Sequence, residues 1–125
     1  MKVKIKMRIA LHIIRALIIA NLATLAVAQE VSIPDPGLNA AVRETLQKPN
    51  GSLTEEDLLT LTALDAHRRN VSSISGSEAA RNLTSLSLQF NHLIDLVLPE
   101  GLINLNELAL SGNLLTTLTL PPDMT

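Results

Sequence analysis

Residues 83–93 read LTSLSLQFNHL, and residues 105–115 read LNELALSGNLL. The two stretches carry leucines at the same positions and an asparagine at the ninth, so the second copies the first after 22 residues. Residues 61–71, LTALDAHRRNV, form a weaker copy 22 residues earlier, in which Ala66 replaces a leucine and Arg69 replaces the asparagine. A fixed period of this length indicates a solenoid whose units stack on one another.

The triplet Leu-x-Leu within each copy has the period of a β-strand. Leu86 and Leu88 point to one side and Ser87 to the other, so stacked copies predict a parallel sheet with one buried and one exposed face. The chain turns after each strand at Asn91 and Asn113. Because an amide carries both donors and acceptors, we expect these residues to satisfy buried turn backbone as a structural asparagine column. The alternative is two ordinary surface asparagines.

The pattern L-x-x-L-x-L-x-x-N-x-L resembles the leucine-rich repeat. The resemblance implies an α/β solenoid, with a helical N-terminal cap followed by leucine-rich repeats and a short parallel β-sheet on the concave face. Between the repeats, residues 96–98 and 118–120 alternate like short strands and each run ends at a proline. We therefore expect short extended segments on the convex side, and a turn or one helical turn over residues 74–80.

The cap is expected over residues 29–60. Asp35 can cap a helix that has Pro36 at its first position, and an apolar face follows at helical spacing. A second helix is expected to start at Thr54, with Asp57 completing a capping box. These two segments resemble the N-terminal caps of secreted bacterial leucine-rich-repeat proteins of the internalin-like class.

Residues 1–28 have the pattern of a secretory signal peptide. A basic stretch ending at Arg15 is followed by an apolar run and by Ala26-Val27-Ala28, which predicts cleavage after Ala28. The alternative is a membrane anchor, but only 13 residues separate Arg15 from Gln29, fewer than the roughly 20 that a spanning helix needs. We predict a secreted or cell-surface protein without stable membrane insertion after cleavage.

Removal of this peptide leaves five basic and twelve acidic residues, a formal charge of −7. An acidic chain with a single aromatic residue, Phe90, argues against nucleic acid as a partner. Another protein is the expected partner.

Catalytic and cofactor-binding patterns are absent from the sequence, and we expect no enzyme activity, no cofactor and no metal site. His67 with Asp65 is the one pair that invites a metal reading. Two ligands without a third in register favour a solvated strand face instead.

The predicted domains are the signal peptide 1–28, the cap 29–60 and about three leucine-rich repeats over 61–125, the last one truncated. The leucines of the second and third repeats are expected to be nearly fully buried: Leu86, Leu88, Leu93, Leu105, Leu108 and Leu110. The candidate binding face on the concave side consists of Asp65, His67, Arg68, Ser85, Ser87, Gln89, Phe90, Glu107, Ala109 and Ser111.

The predicted function is an extracellular protein-interaction scaffold. Because the next repeat stops short after Leu120, we expect the N-terminal fragment of a longer array, with Leu108, Leu110 and Leu115 lining an open end. The alternative is a structural cap or spacer at the N-terminus of a larger secreted protein, which includes the case of an enzyme.

Overall fold

The computed structural model describes residues 27–124, so the predicted signal peptide lies outside the described residues except for its last two positions. Two α-helices come first in the described part, α1 Pro36–Leu46 and α2 Glu55–Leu59. Short strands follow: β1 Ala63–Asp65, β2 Ser85–Ser87, β3 Asp95–Val97, β4 Glu107–Ala109 and β5 Thr117–Thr119. Single 3-10 turns cover Ser77–Ala79 and Pro122–Met124.

Helix α1 begins where the sequence predicts. Oδ1 of Asp35 accepts a hydrogen bond from the backbone N–H of Leu38 at 2.9 Å, which satisfies one of the free donors at the helix start. Leu38, Ala41 and Val42 are buried and form the face that packs on the core. The helix ends at Gln47, which takes a left-handed conformation and returns its N–H to carbonyls of the last turn.

Helix α2 begins with the predicted capping box. The Thr54 hydroxyl accepts from the backbone N–H of Asp57 at 3.2 Å, and Oδ2 of Asp57 accepts from the backbone N–H of Thr54 at 2.8 Å. Lys48 adds an ion pair to the same carboxylate at 2.6 Å, which links the two helices of the cap. Within residues 27–124, no helix is long and apolar enough to cross a membrane.

The strands form two parallel sheets with the spacing of the repeat. In the first, β1, β2 and β4 lie side by side, with Leu64 opposite Leu86 and Leu86 opposite Leu108. In the second, β3 pairs with β5, with Leu96 opposite Leu118. Each opposed pair is 22 residues apart, so the sequence period becomes the register of both sheets. The expected extended segments between repeats and the single helical turn after Ile74 are confirmed.

The core lies between the sheets and is built mainly from leucine. Leu86, Leu88 and Leu93 are fully buried, as predicted. The prediction is wrong for the same positions of the next repeat, because Leu105, Leu108 and Leu110 are only partly buried. Their inner sides pack on the core, whereas no described residue packs on the far side of β4. Exposure rises further in β5, where Leu118 is 47% exposed.

Candidate functional site

The three-stranded sheet carries the candidate face. The inward residue of each strand is a leucine, so the residues on either side of it point outward. Six of the predicted site residues are exposed and four are partly buried. The exposed ones are Asp65, His67, Arg68, Phe90, Glu107 and Ser111; the partly buried ones are Ser85, Ser87, Gln89 and Ala109. All ten are therefore accessible on the outward side of the sheet or in the turns that follow its strands.

Side chains on this face bond to one another within and between strands. Nε2 of Gln89 donates to Oγ of Ser111 at 2.9 Å, across one repeat step. Oδ1 of Asp65 accepts from the backbone N–H of His67 at 3.1 Å and lies 2.9 Å from Nδ1 of its ring. The backbone bond, assisted by the ring, holds the pKa of Asp65 below its usual value. The face is thus polar, with preset side-chain orientations.

The eighth position of each repeat forms a row at the carboxyl end of the strands. Arg68, Phe90 and Gly112 occupy it, and all three have positive φ, at 53°, 55° and 74°. The Arg68 guanidinium carbon lies 4.9 Å from the centre of the Phe90 ring, a cation–π distance. A Cβ on Gly112 would lie 2.4 Å from Cδ1 of Phe90, so the ring rests where only glycine leaves room. Sequence reasoning placed the first two residues on the face but missed the row.

Asn91 closes the turn after β2 and is 3% exposed. Its Oδ1 accepts from the backbone N–H groups of Arg69 and Val71, at 2.9 and 3.0 Å. Its Nδ2 donates to the carbonyls of Ala66 and Leu88, at 2.8 and 3.0 Å. One amide therefore satisfies backbone groups of its own repeat and of the preceding one, as expected of a structural asparagine.

Asn113 repeats this arrangement one step later. Its Oδ1 accepts from the backbone N–H of Leu93 at 3.1 Å, and Nδ2 donates to the carbonyls of Leu88 and Leu110 at 2.7 and 2.9 Å. Asn113 is only partly buried, in keeping with the partial exposure of the leucines around it. The first repeat has Arg69 at this position, and its side chain pairs with Glu44 of α1 instead.

Asp35 has a second role that sequence reasoning missed. Its Oδ2 accepts from the backbone N–H of Ser72 at 2.9 Å, from the Ser72 hydroxyl at 3.1 Å and from the backbone N–H of Ser73 at 3.2 Å. Burial raises the pKa of Asp35, but the bonds from Leu38, Ser72 and Ser73 together outweigh it, so the pKa is lowered. This buried carboxylate joins the cap to the first repeat.

Metal ligation finds no wider support around Asp65 and His67. In the part of the chain that the structure describes, no group of three His, Cys, Asp or Glu side chains could hold an ion together. The accessible chemistry of the face is therefore hydrogen bonding, one stacked cation and one exposed aromatic ring.

These features define a class. A helical cap, parallel strands in 22-residue register and turn asparagines that bond to neighbouring repeats are the features of a leucine-rich-repeat type of fold.

Solved structures of bacterial proteins share this fold. An internalin (inlF) from Listeria monocytogenes is 28% identical with a TM-score of 0.63, over 75% of this chain and 33% of that one. An internalin C2 (inlC2) from the same species is 34% identical with a TM-score of 0.59, over 70% of this chain and 41% of that one. A Clostridium perfringens ZmpB structure, containing CBM51-2 in complex with GlcNAc and INT domains, is 29% identical with a TM-score of 0.54.

The match to the Clostridium structure covers 66% of this chain and 18% of that one. The chain thus spans well under half the length of each of these neighbours. No family model matches the chain, and no curated protein matches it significantly.

Proposed function

We propose that this chain is a protein-interaction scaffold of the internalin-like leucine-rich-repeat class, acting outside the cell and without catalytic activity. In this proposal the repeats form a solenoid, and the partner lies across the outward face of β1, β2 and β4. The similarity to internalins supports the class. The observation that carries the proposed function is the division of labour within each strand.

The strand β2 shows that division most clearly. Leu86 is 1% exposed and belongs to the core, whereas Ser85 and Ser87 on either side of it reach the surface. The outward residues are not needed for packing and differ from repeat to repeat, with Asp65, Ser87 and Ala109 at equivalent positions. A surface whose side chains vary on a fixed frame is suited to specific recognition of a partner.

The exterior location rests on two features of the sequence. The pattern of residues 1–28 is that of a secretory signal peptide, and the remaining chain has a formal charge of −7. An acidic surface repels nucleic acid and anionic lipid, which leaves another protein as the favoured partner.

The size of the face limits the strength of binding. Three strands at roughly 4.8 Å spacing span only about 10 Å, whereas a standard interface buries about 800 Å² on each partner. We therefore expect this face alone to bind weakly, and the residues in the turns after the strands to contribute as well.

Site-specific photo-crosslinking tests the proposal. Benzoylphenylalanine is placed at Ser87 on the three-stranded sheet and, as a matched control, at Val97, which is 65% exposed on the two-stranded sheet. The chain is then irradiated with surface and culture proteins of the producing organism. A defined adduct from position 87 and none from position 97 supports the proposal. Adducts from position 97 alone, or from neither position, contradict it.

A second candidate function is a structural cap or spacer in a larger secreted protein, which includes an enzyme. The exposed apolar side chains beyond β4 favour it, because Leu114, Leu118 and Leu120 are 64%, 47% and 40% exposed. A further packed unit would cover such residues. Under this candidate, position 87 gives no adduct and the chain is required only for the stability or placement of that unit.

A further inference from the structure

The use of positive charge in this acidic chain singles out one residue. Residues 27–124 contain five basic side chains. Lys48 pairs with Asp57, Arg69 pairs with Glu44, and Arg43 donates to the carbonyls of Lys48 and Gly51. Among the described residues, no carboxylate pairs with the other two, Arg68 and Arg81, and both are exposed. Three of the five cations thus serve the fold.

Arg68 differs from Arg81 because its position is fixed. Its guanidinium stacks on the Phe90 ring, and the ring lies against Gly112. The backbone beneath the row is also tied together, since the N–H of Arg68 donates to the carbonyl of Gln89 at 3.0 Å and the N–H of Phe90 donates to the carbonyl of Ser111 at 2.8 Å. Stacking occupies one face of the guanidinium and leaves its N–H edge free.

The surroundings favour an anion over a cation. Arg68 lies between His67 and Arg69 in sequence, and the three residues line an open depression together with Pro36 and Ala40 of α1. Arg69 is committed to Glu44, and His67 to Asp65. The free donors of the depression therefore belong to Arg68, next to an aromatic ring that is 52% exposed.

We infer that Arg68 and Phe90 form a carboxylate-binding anchor, which takes an aspartate or glutamate of the partner protein together with an apolar side chain beside it. Arg68 would hold the carboxylate through two parallel N–H bonds, a geometry that lysine cannot reproduce. Phe90 would cover the neighbouring apolar group. Arginine and aromatic residues are the types that most often dominate binding energy at interfaces. The anchor rests on the proposed function and names the chemistry of the partner.

A random dodecapeptide library displayed on phage is the probe, selected against the immobilised chain. The expected result is enrichment of peptides with an acidic residue next to an apolar or aromatic one. Arg68→Ala should weaken binding of a resynthesised peptide by about tenfold or more, and Phe90→Leu should also weaken it. Arg68→Lys should recover only part of the loss, because it restores charge without the fork. Arg81→Ala, the matched control, should leave binding unchanged.

A double-mutant cycle separates direct contact from a structural effect. Replacing the peptide glutamate by glutamine should weaken binding to the unaltered chain and have little further effect on Arg68→Ala, because the two changes remove the same interaction. Additive effects overturn the anchor. So does a library that yields no binder, or binders without acidic residues. Binders that are insensitive to Arg68→Ala but lost with Ser87→Arg overturn the anchor alone, whereas the crosslinking result at position 87 decides the proposed function independently.

Discussion

The carboxylate of Asp35 and the backbone of Ser72 are joined across 37 residues, with Oδ2 of Asp35 accepting from the Ser72 N–H at 2.9 Å and from its hydroxyl at 3.1 Å. The other oxygen of the same carboxylate caps α1 through Leu38. One side chain therefore starts the cap helix and fixes that helix to the turn after the first repeat. Asp35 is 6% exposed, so water cannot readily replace these bonds.

Substitution of Asp35 tests this junction. Asp35→Ala should lower the free energy of unfolding by about 2–4 kcal/mol, because it removes a helix cap and leaves the N–H groups of Ser72 and Ser73 unpaired. The measurement is the urea midpoint at neutral pH. Asp95→Ala is the control: that carboxylate also accepts two hydroxyl bonds, from Thr116 and Thr117, but it is fully exposed. Equal losses for the two variants would contradict a special role for Asp35.

The lowered pKa of Asp35 predicts a pH dependence of stability. The folded state binds the proton of this group less tightly than the unfolded state, whose pKa is about 3.9. Its contribution is therefore present above about pH 4 and is lost as the pH falls through the lower folded-state pKa. The stability difference between the unaltered chain and Asp35→Asn should shrink between pH 5 and pH 2.5, on the order of the acidic range where aspartates titrate. A difference that stays constant over this range would refute the assignment.

The two sides of β2 should respond differently to alanine. Leu86→Ala should cost about 2–5 kcal/mol, because it opens a cavity in the leucine core. Ser87→Ala should change stability by no more than about 0.5 kcal/mol, because its side chain points outward. Leu108→Ala should fall between them, since Leu108 occupies the same position as Leu86 but is only partly buried. Similar urea midpoints for Leu86→Ala and Ser87→Ala would mean that the strand register is wrong.

Gly112 and Phe90 should show coupled effects. Gly112→Ala meets two obstacles, a backbone with φ of 74° and a Cβ that would lie 2.4 Å from the Phe90 ring. In the Phe90→Ala background only the first obstacle remains, so the cost should drop from about 2 kcal/mol to about 1 kcal/mol. Thermal or urea unfolding of the four proteins measures the coupling. A cost that is the same in both backgrounds would show that the ring does not rest on Gly112.

The repeat frame could be predicted from the sequence because its signal is local and periodic. Leu86, Leu108 and Asn91 each recur at fixed offsets, and that offset became the register of both sheets. The second role of Asp35 could not be predicted, because nothing local indicates which distant turn a helix start will contact. The partial exposure of Leu108 was missed for a related reason, since burial depends on what packs beyond the strand as well as on the residue type.

The candidate face was predicted residue by residue from strand alternation, and its role in binding stays a prediction. The stacking of Arg68 on Phe90 was not foreseen. One signal was present in the sequence: a glycine stands at position 112, one repeat after the single aromatic residue and at the same place in the repeat. Only the structure shows that the three residues at this place share positive φ and form a row.

The most direct test of the account compares the two turn asparagines, because the whole architecture rests on buried amides that join successive repeats in 22-residue register. Asn91→Ala should lower the free energy of unfolding by about 1–3 kcal/mol, since it leaves N–H and carbonyl groups of two repeats unpaired in the interior. Asn113→Ala should cost less, because Asn113 is partly exposed and water can replace its bonds. The measurement is the difference between the urea midpoints of the two variants. A larger fall for Asn91→Ala is the predicted result, and equal falls, or no fall for either, would contradict it.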